Sequence, residues 1–496
     1  IPLTPNGKVD RHRLPKPEDK AGQNGYTAPS NETERIIAEA VQEITGIEKV
    51  GACDSFDDLG IDSLDIIRIQ ARLMKHGWKL TTQDFYEYPN IRLLSLKIAG
   101  KTGEGDGLGE GNDKGIMKFE SVSFGNVSYE GDVLLTGATG FLGAHLLKEV
   151  ISGSDADVYC LVRGDGLENA EKRLFSKLEY YFGYDFIKTA GNRIHTVRGD
   201  FTLERFGLSD DEYRDLGNRV RCVIHSGALV KHYGDSRQFE RTNCYGTEQA
   251  ADFAETFGLQ FSHISTVSVA GIYDGQPKKA GEFFENDIYM GGFPEDNVYI
   301  KSKIMAERMI VKRVLNNKLN ASIFRVGNLT GRFSDGVFQQ NRNENLFYNR
   351  IYSIIRLGCI PDSILETEVD LTPVDPCSEA VWKIIQKNSD KADIYHVYNN
   401  NMLTVSRLAE LLGYIGKKID VTDPVSYAGR IRELYEKSID TDLLQSFINE
   451  IGNELTIGKT VRLNSDKTLK ILGGLGFTWP ECDEGYISRL YGDIDI

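Results

Sequence analysis

The chain has 496 residues, a net charge of −15 and seven cysteines. It is too long for a single core, so two or three domains are expected. The acidic balance argues against nucleic-acid binding, though not against a local basic pocket for a phosphorylated cofactor. No apolar run approaches the ~20 residues that cross a bilayer, so no membrane association is expected.

Residues 1–30 are polar and Pro-rich and read as an extended tail. The chain starts at Ile1 and not at Met, with no signal-peptide pattern, so it reads as a piece of something longer. The cysteines (Cys53, Cys160, Cys222, Cys244, Cys359, Cys377, Cys482) are scattered, with no Cys-x-x-Cys pair. That pattern fits reduced thiols in a cytoplasm better than a disulfide framework or a zinc site.

Residues 28–100 read as a small helical unit. A first helix near Thr33 to Ile44 places Ile36, Ile37, Ala40, Val41 and Ile44 on one face. After a loop through Asp54 to Gly60, a second helix from about Ser63 to Lys75 is expected to bury a stripe of Leu64, Ile67, Ala71 and Met74. Two further short helices end near Gly100. Residues 101–115 (KTGEGDGLGEGNDKG) hold six glycines and interspersed charge, the composition of a flexible tether.

From Ile116 to the end, short apolar runs alternate with helical stretches. The runs are Val133-Leu134-Leu135, Val158 to Val162, Val223-Ile224-His225, Phe261 to Ile264 and Ile323 to Val326. This is the pattern of an α/β fold with a Rossmann-type, doubly wound parallel sheet. The length beyond Gly331 exceeds what such a sheet needs and predicts a smaller substrate-facing subdomain.

The first run leads into Thr136-Gly137-Ala138-Thr139-Gly140-Phe141-Leu142-Gly143, where the three glycines allow a tight turn, close approach to a pyrophosphate and helix–strand packing. Gly137, Thr139, Gly140, Phe141, Leu142 and Gly143 are therefore candidate dinucleotide-binding residues. An acidic residue after the second strand would bind a ribose 2′-hydroxyl. This chain has Arg163 there and Arg173 further on, which favours a 2′-phosphate and hence NADPH. Asp200, after a third strand, is a candidate for the adenine amino group, although Gly-Asp is also an ordinary turn.

Downstream, Tyr299-Ile300-Lys301-Ser302-Lys303 opens a helical stretch and puts a Tyr and a Lys on one face. Such a pair arises by chance in a Tyr-rich chain, and position gives it weight. A nearby ammonium is expected to lower the phenol toward neutrality, with Lys303 also reaching the nicotinamide ribose. Thr266, at the end of the Phe261 strand, is the candidate holder of a substrate carbonyl oxygen. The bland alternative for Thr266 is a capping hydroxyl, and for Ser63 a helix N-cap.

Taken in order, these segments resemble the end of a nonribosomal peptide synthetase. Ile1 to Arg11 looks like the last core motif of an adenylation domain, with residues 1–20 the adenylation-like part, in which Lys8 would be idle without its parent. Residues 28–100, with Asp54-Ser55-Phe56-Asp57-Asp58-Leu59-Gly60-Ile61-Asp62-Ser63-Leu64, resemble a peptidyl carrier domain. Ser63 would carry covalent 4′-phosphopantetheine, although Asp62 stands where such carriers commonly have His. Residues 116–496 resemble the thioester reductases of the extended short-chain dehydrogenase/reductase superfamily. The matching segments are Gly137 to Gly143, His225-Ser226-Gly227-Ala228, Ser265-Thr266, Tyr299/Lys303, Arg325-Val326-Gly327-Asn328 and Thr372-Pro373-Val374-Asp375. The resemblance implies NADPH-dependent reduction of a tethered acyl or peptidyl thioester to an aldehyde or onward to an alcohol, through a hemithioacetal. It also implies a phosphopantetheinyl transferase and upstream adenylation and condensation domains as partners. A carboxylic acid or aminoadipate reductase module is an alternative. A nucleotide-sugar epimerase or dehydratase shares the fold and the Tyr/Lys pair but has no reason to carry Ser63. A carrier fused to a degenerate scaffold is the non-enzymatic reading.

Overall fold

Asp132–Thr136 forms the first strand (β1) of a sheet because its alternate residues serve two buried layers. Val133 and Leu135 enter one core cluster while Leu134 enters the other. The computed structural model describes residues 26–78, 80–100, 116–124, 131–231, 234–270, 282–289, 297–342, 345–387, 390–437 and 461–494. The expected adenylation remnant and the Gly-rich tether therefore lie outside the described residues. The chain divides into two compact units, one with the helices up to Ile98 and the other with everything from Ile116.

Among its described residues the first unit has four helices: α1 (Glu32–Thr45), α2 (Ser63–Met74), α3 (Thr82–Glu87) and α4 (Ile91–Ile98). Asn31, Thr81 and Asn90 cap α1, α3 and α4 with their side chains. The core joins Ile37, Val41, Ile66, Ile69, Leu73, Phe85, Ile91 and Leu94. On α2 Ile66, Ile69, Gln70 and Leu73 are inside, while Ala71 and Met74 of the expected stripe are only half-buried. Gln70 is tolerated there because its amide donates to the Leu80 carbonyl and accepts from Thr82 Oγ1.

In the second unit β1 is joined by β2 (Val158–Val162), β3 (Ile194–Arg198), β4 (Val220–His225), β5 (Gln260–Thr266), β6 (Ala321–Val326) and β7 (Ile394–Val397). All neighbours are parallel, in the order β7-β6-β5-β4-β1-β2-β3. The order reverses between β1 and β4, and a ligand crevice opens at such a switch point, beyond the strands' carboxyl ends.

Helices α5 (Phe141–Gly153) and α6 (Leu167–Ala190) cover one face. Helices α7 (Asp210–Arg219), α8 (Gly246–Phe257) and α9 (Val298–Leu315) cover the other. A separate apolar cluster forms the C-terminal lobe from α10 (Leu346–Leu357), α12 (Val405–Tyr414) and α14 (Glu484–Tyr491). Helix α11 (Val374–Lys387) and helix α13 (Asp466–Gly474) belong to the α5 side of the sheet. No helix among the described residues is long and apolar enough to cross a membrane.

Candidate functional site

At the carboxyl end of β1, Gly137 adopts φ +75°. A Cβ there would come within 2.6 Å of Gly227 N, and one on Gly143 within 2.0 Å of the Gly137 carbonyl oxygen. Positions 137 and 143 are therefore closed to any side chain. Gly140 occupies the N-cap of α5 and offers no side-chain cap, so the first-turn N–H groups remain available to an anion. The geometry fits a dinucleotide pyrophosphate.

The loop that meets this turn is tied down by His225. Thr247 Oγ1 gives its proton to the Asn243 carbonyl at 2.6 Å, so His225 Nε2–H donates to Thr247 at 3.1 Å. Nδ1 is then the acceptor, and Thr136 Oγ1–H donates to it at 2.8 Å while accepting from Gly227 N–H at 3.2 Å. Burial first, and then the charge of Lys303, push His225 down to about 3, which keeps it in this neutral form.

Helix α9 supplies the proposed chemical groups. Asn297 caps it by accepting from Ile300 N–H at 3.0 Å, and Lys312 and Arg313 complement its C-terminal dipole. Tyr299 lies in the first turn, and its hydroxyl is hydrogen-bonded to that of Thr266, the last residue of β5. Burial pushes Tyr299 up to about 12, with the Thr266 hydrogen bond acting in the opposite direction.

Lys303 does not lower Tyr299 as the spacing suggests. Its ammonium donates to the Ile264 carbonyl at 2.6 Å and lies 3.4 Å from His263 Nε2, directed back at β5. Burial brings Lys303 itself down to about 8.

The helix sits on an unusually polar stretch of sheet. Glu307, one turn beyond Lys303, accepts from Ser265 Oγ at 2.5 Å and from the fully buried Arg325 at 2.7 and 3.1 Å. Arg325 also donates to the Asp287 carbonyl and faces His396 Nε2 at 3.2 Å. A π turn at Glu240–Tyr245 presents Asn243. Its amide brackets Leu229, accepting from N–H at 2.7 Å and donating to C=O at 2.9 Å, and also donates to Ser302 Oγ at 2.8 Å. His225 and Arg325 fall in segments that carry the resemblance without a role assigned to them, and Asn243, His263 and Glu307 do not stand out in the sequence. Their roles come from pairing across strands.

One cleft of about 550 Å³ collects Gly140, Phe141, Leu142, Gly143, Thr266, Tyr299 and Lys303, and runs on into the C-terminal lobe. Gly137, Thr139, Arg163, Arg173 and Asp200 are not among its walls. Arg163 is exposed just past β2, with Leu161 in register with Thr136 of β1. Arg173 donates to the Arg163 carbonyl, which holds that loop. Asp200 Oδ1 accepts from Thr202 N–H at 2.8 Å in a local turn.

In the other unit, Asp62 caps α2, because Asp65 N–H donates to Asp62 Oδ1 at 3.0 Å. Ser63 is the first residue of that helix.

Residues 35–97 match the family described as phosphopantetheine attachment site, and residues 135–381 the family described as male sterility protein, an NAD-binding group. The chain is 28% identical over 509 aligned residues to a component of the linear gramicidin synthase of Brevibacillus parabrevis, covering 99% of this chain and 10% of that protein. It spans less than half the length of the first curated relatives that it matches. Among solved structures, a thiolation-reductase di-domain from an archaeal nonribosomal peptide synthetase superposes with TM-score 0.77 at 28% identity, covering 94% of this chain and 98% of that one. The terminal R domain of the myxalamid PKS-NRPS pathway gives TM-score 0.64 at 28% identity, over 74% and 92% of the two chains.

Proposed function

Because the chain joins a phosphopantetheine-attachment domain to an NAD-binding reductase domain of the male sterility family, we propose that it reduces a carrier-tethered acyl or peptidyl thioester and releases it as an aldehyde. The observation that carries this reading is the single cleft in which the uncapped start of α5 meets Thr266, Tyr299 and Lys303.

NADPH, when bound, supplies the hydride. Thr266 and Tyr299 present a bonded pair of hydroxyls to the oxygen that becomes an oxyanion, and Tyr299 gives that oxygen its proton. The aldehyde and the arm's thiol are the products. The relatives' names supply the context of a synthetase end. A transferase that loads Ser63 and upstream adenylation and condensation domains are its proposed partners. Residues 101–115 serve as the tether, and the cytoplasm is the compartment that keeps the seven cysteines, all free, reduced.

The test is to load the full chain with an acyl-pantetheine, add NADPH, and follow cofactor oxidation together with trapped aldehyde. Cofactor left unoxidised by a fully loaded chain defeats the proposal.

Two further outcomes concern the cofactor. Arg163→Ala weakens NADPH binding much more than NADH binding, because only the 2′-phosphate is read by a guanidinium. Equal losses in a titration of both would remove Arg163 from that role. Second, kcat/KM for NADPH falls as pH rises through about 8, where Lys303 loses its proton. Lys303→Arg, whose charge persists, moves that limb upward, and an unshifted limb would assign the titration to another group.

A further inference from the structure

The cleft does not end at Tyr299. It continues between α10 and α12, where Ile351 and Ile354 of one helix face Val405 and Leu408 of the other, with Ile364 beside them. These five side chains are 2–6% exposed: Ile351 2%, Ile354 5%, Ile364 3%, Val405 6% and Leu408 2%. They belong to the lobe's own apolar cluster and at the same time line the cleft.

The charged groups on this part of the wall are Arg350, Glu368 and Asp370. Arg350 and Glu368 are exposed, so a charge beside them keeps its contact with water. Asp370 is buried, and both of its oxygens are occupied, Oδ2 by Asn328 N–H at 2.7 Å and Oδ1 by the Thr372 hydroxyl at 2.5 Å. Among the described residues, no charge in the depth of the lobe is left to receive a charged ligand.

Resting on the thioester-reduction reading, we infer that the acyl group reduced here ends in an uncharged, apolar side chain, aliphatic or aromatic, seated between α10 and α12. The occupant follows from continuity, since the same cleft holds the hydroxyl pair that receives the carbonyl oxygen. A group anchored at Thr266 and Tyr299 can extend its remainder along the lobe's walls, where Gln339, Asn341, Asn345 and Thr367 are partly or fully exposed and the buried residues, apart from Asp370, are aliphatic. An apolar end gains by leaving water there. A carboxylate or ammonium would be desolvated without a counter-charge.

The test uses N-acetylated aminoacyl-pantetheine thioesters with the full chain and NADPH. Leucyl and phenylalanyl thioesters are expected to exceed the glycyl one in kcat/KM by about 10–200-fold, the range an apolar pocket commands, with aspartyl and lysyl thioesters below glycyl. Filling the lobe by Leu408→Phe should reduce the phenylalanyl-to-glycyl ratio by about 10-fold, with NADPH binding reporting that the protein is folded. A flat series, or a preference for aspartyl or lysyl, overturns the apolar assignment alone. Consumption of no thioester, glycyl included, overturns the thioester reading and this inference with it.

Discussion

Tyr299→Phe lowers turnover of a carrier-bound thioester by about 10²–10⁴, the usual worth of one positioned acid, and leaves NADPH affinity in place. The reasons are separable in the structure. Burial holds Tyr299 near 12, so the phenol keeps its proton at neutral pH and is a donor by protonation state. Phe retains the ring in the first turn of α9 and deletes the hydroxyl that Thr266 contacts. The helix stays fixed through the Asn297 cap and through Glu307 and Arg325. The cofactor turn is built from Gly137 to Gly143 on β1 and α5, and its backbone is unchanged by the substitution. Single-turnover reduction and a cofactor titration, measured on the same preparation, check both halves. Near-wild-type reduction, or loss of NADPH binding, would show that the Tyr/Lys pair is accidental.

Ser63→Ala is expected to abolish loading altogether while leaving the fold untouched. An N-cap serine would cost about 0.5–2 kcal/mol when removed, but here the cap belongs to Asp62, so that cost is not incurred. Alanine is in addition a good helix former at the first position of α2. Intact mass after incubation with a transferase and coenzyme A should show no added arm, with unfolding unchanged. Free acyl-pantetheine should still be reduced by the variant, because the cleft lies wholly within the other unit. A mass gain in the variant would move the attachment point elsewhere.

What the sequence reveals is what local chain geometry dictates. Strand β1, the glycine turn and α5 follow one another directly, so spacing alone marks them, and the same holds for Tyr299 and Lys303 on one helical face. The hydroxyl pair of Thr266 and Tyr299 is also anticipated, because each stands at the end of its own element. The buried face of α2 is harder to read. Ala71 and Met74 fit a helical stripe as well as Ile69 and Leu73 do, and only packing within the helical unit chooses between them. Strand β7 is short and flanked by polar residues, so its apolar signal is weak until β6 pairs with it. The direction of the Lys303 side chain depends on a carbonyl and an imidazole from β5, which no spacing on α9 encodes. The same applies to Arg325, whose burial is tolerable only because Glu307, Asp287 and His396 converge on it.

The hydroxyls proposed to be catalytic, those of Thr266 and Tyr299, are held by the sheet and by α9, whereas the aliphatic end of the cleft is held by a lobe with its own apolar cluster. Substitutions in the two regions share few neighbours, and effects of such separated changes tend to add. Changes in α10 and α12 can therefore alter which compound is released without disturbing the proton donor, and descent from one ancestral reductase can diversify in product while its reaction stays fixed. For an engineer, the lobe is the part to randomise and the sheet the part to leave alone.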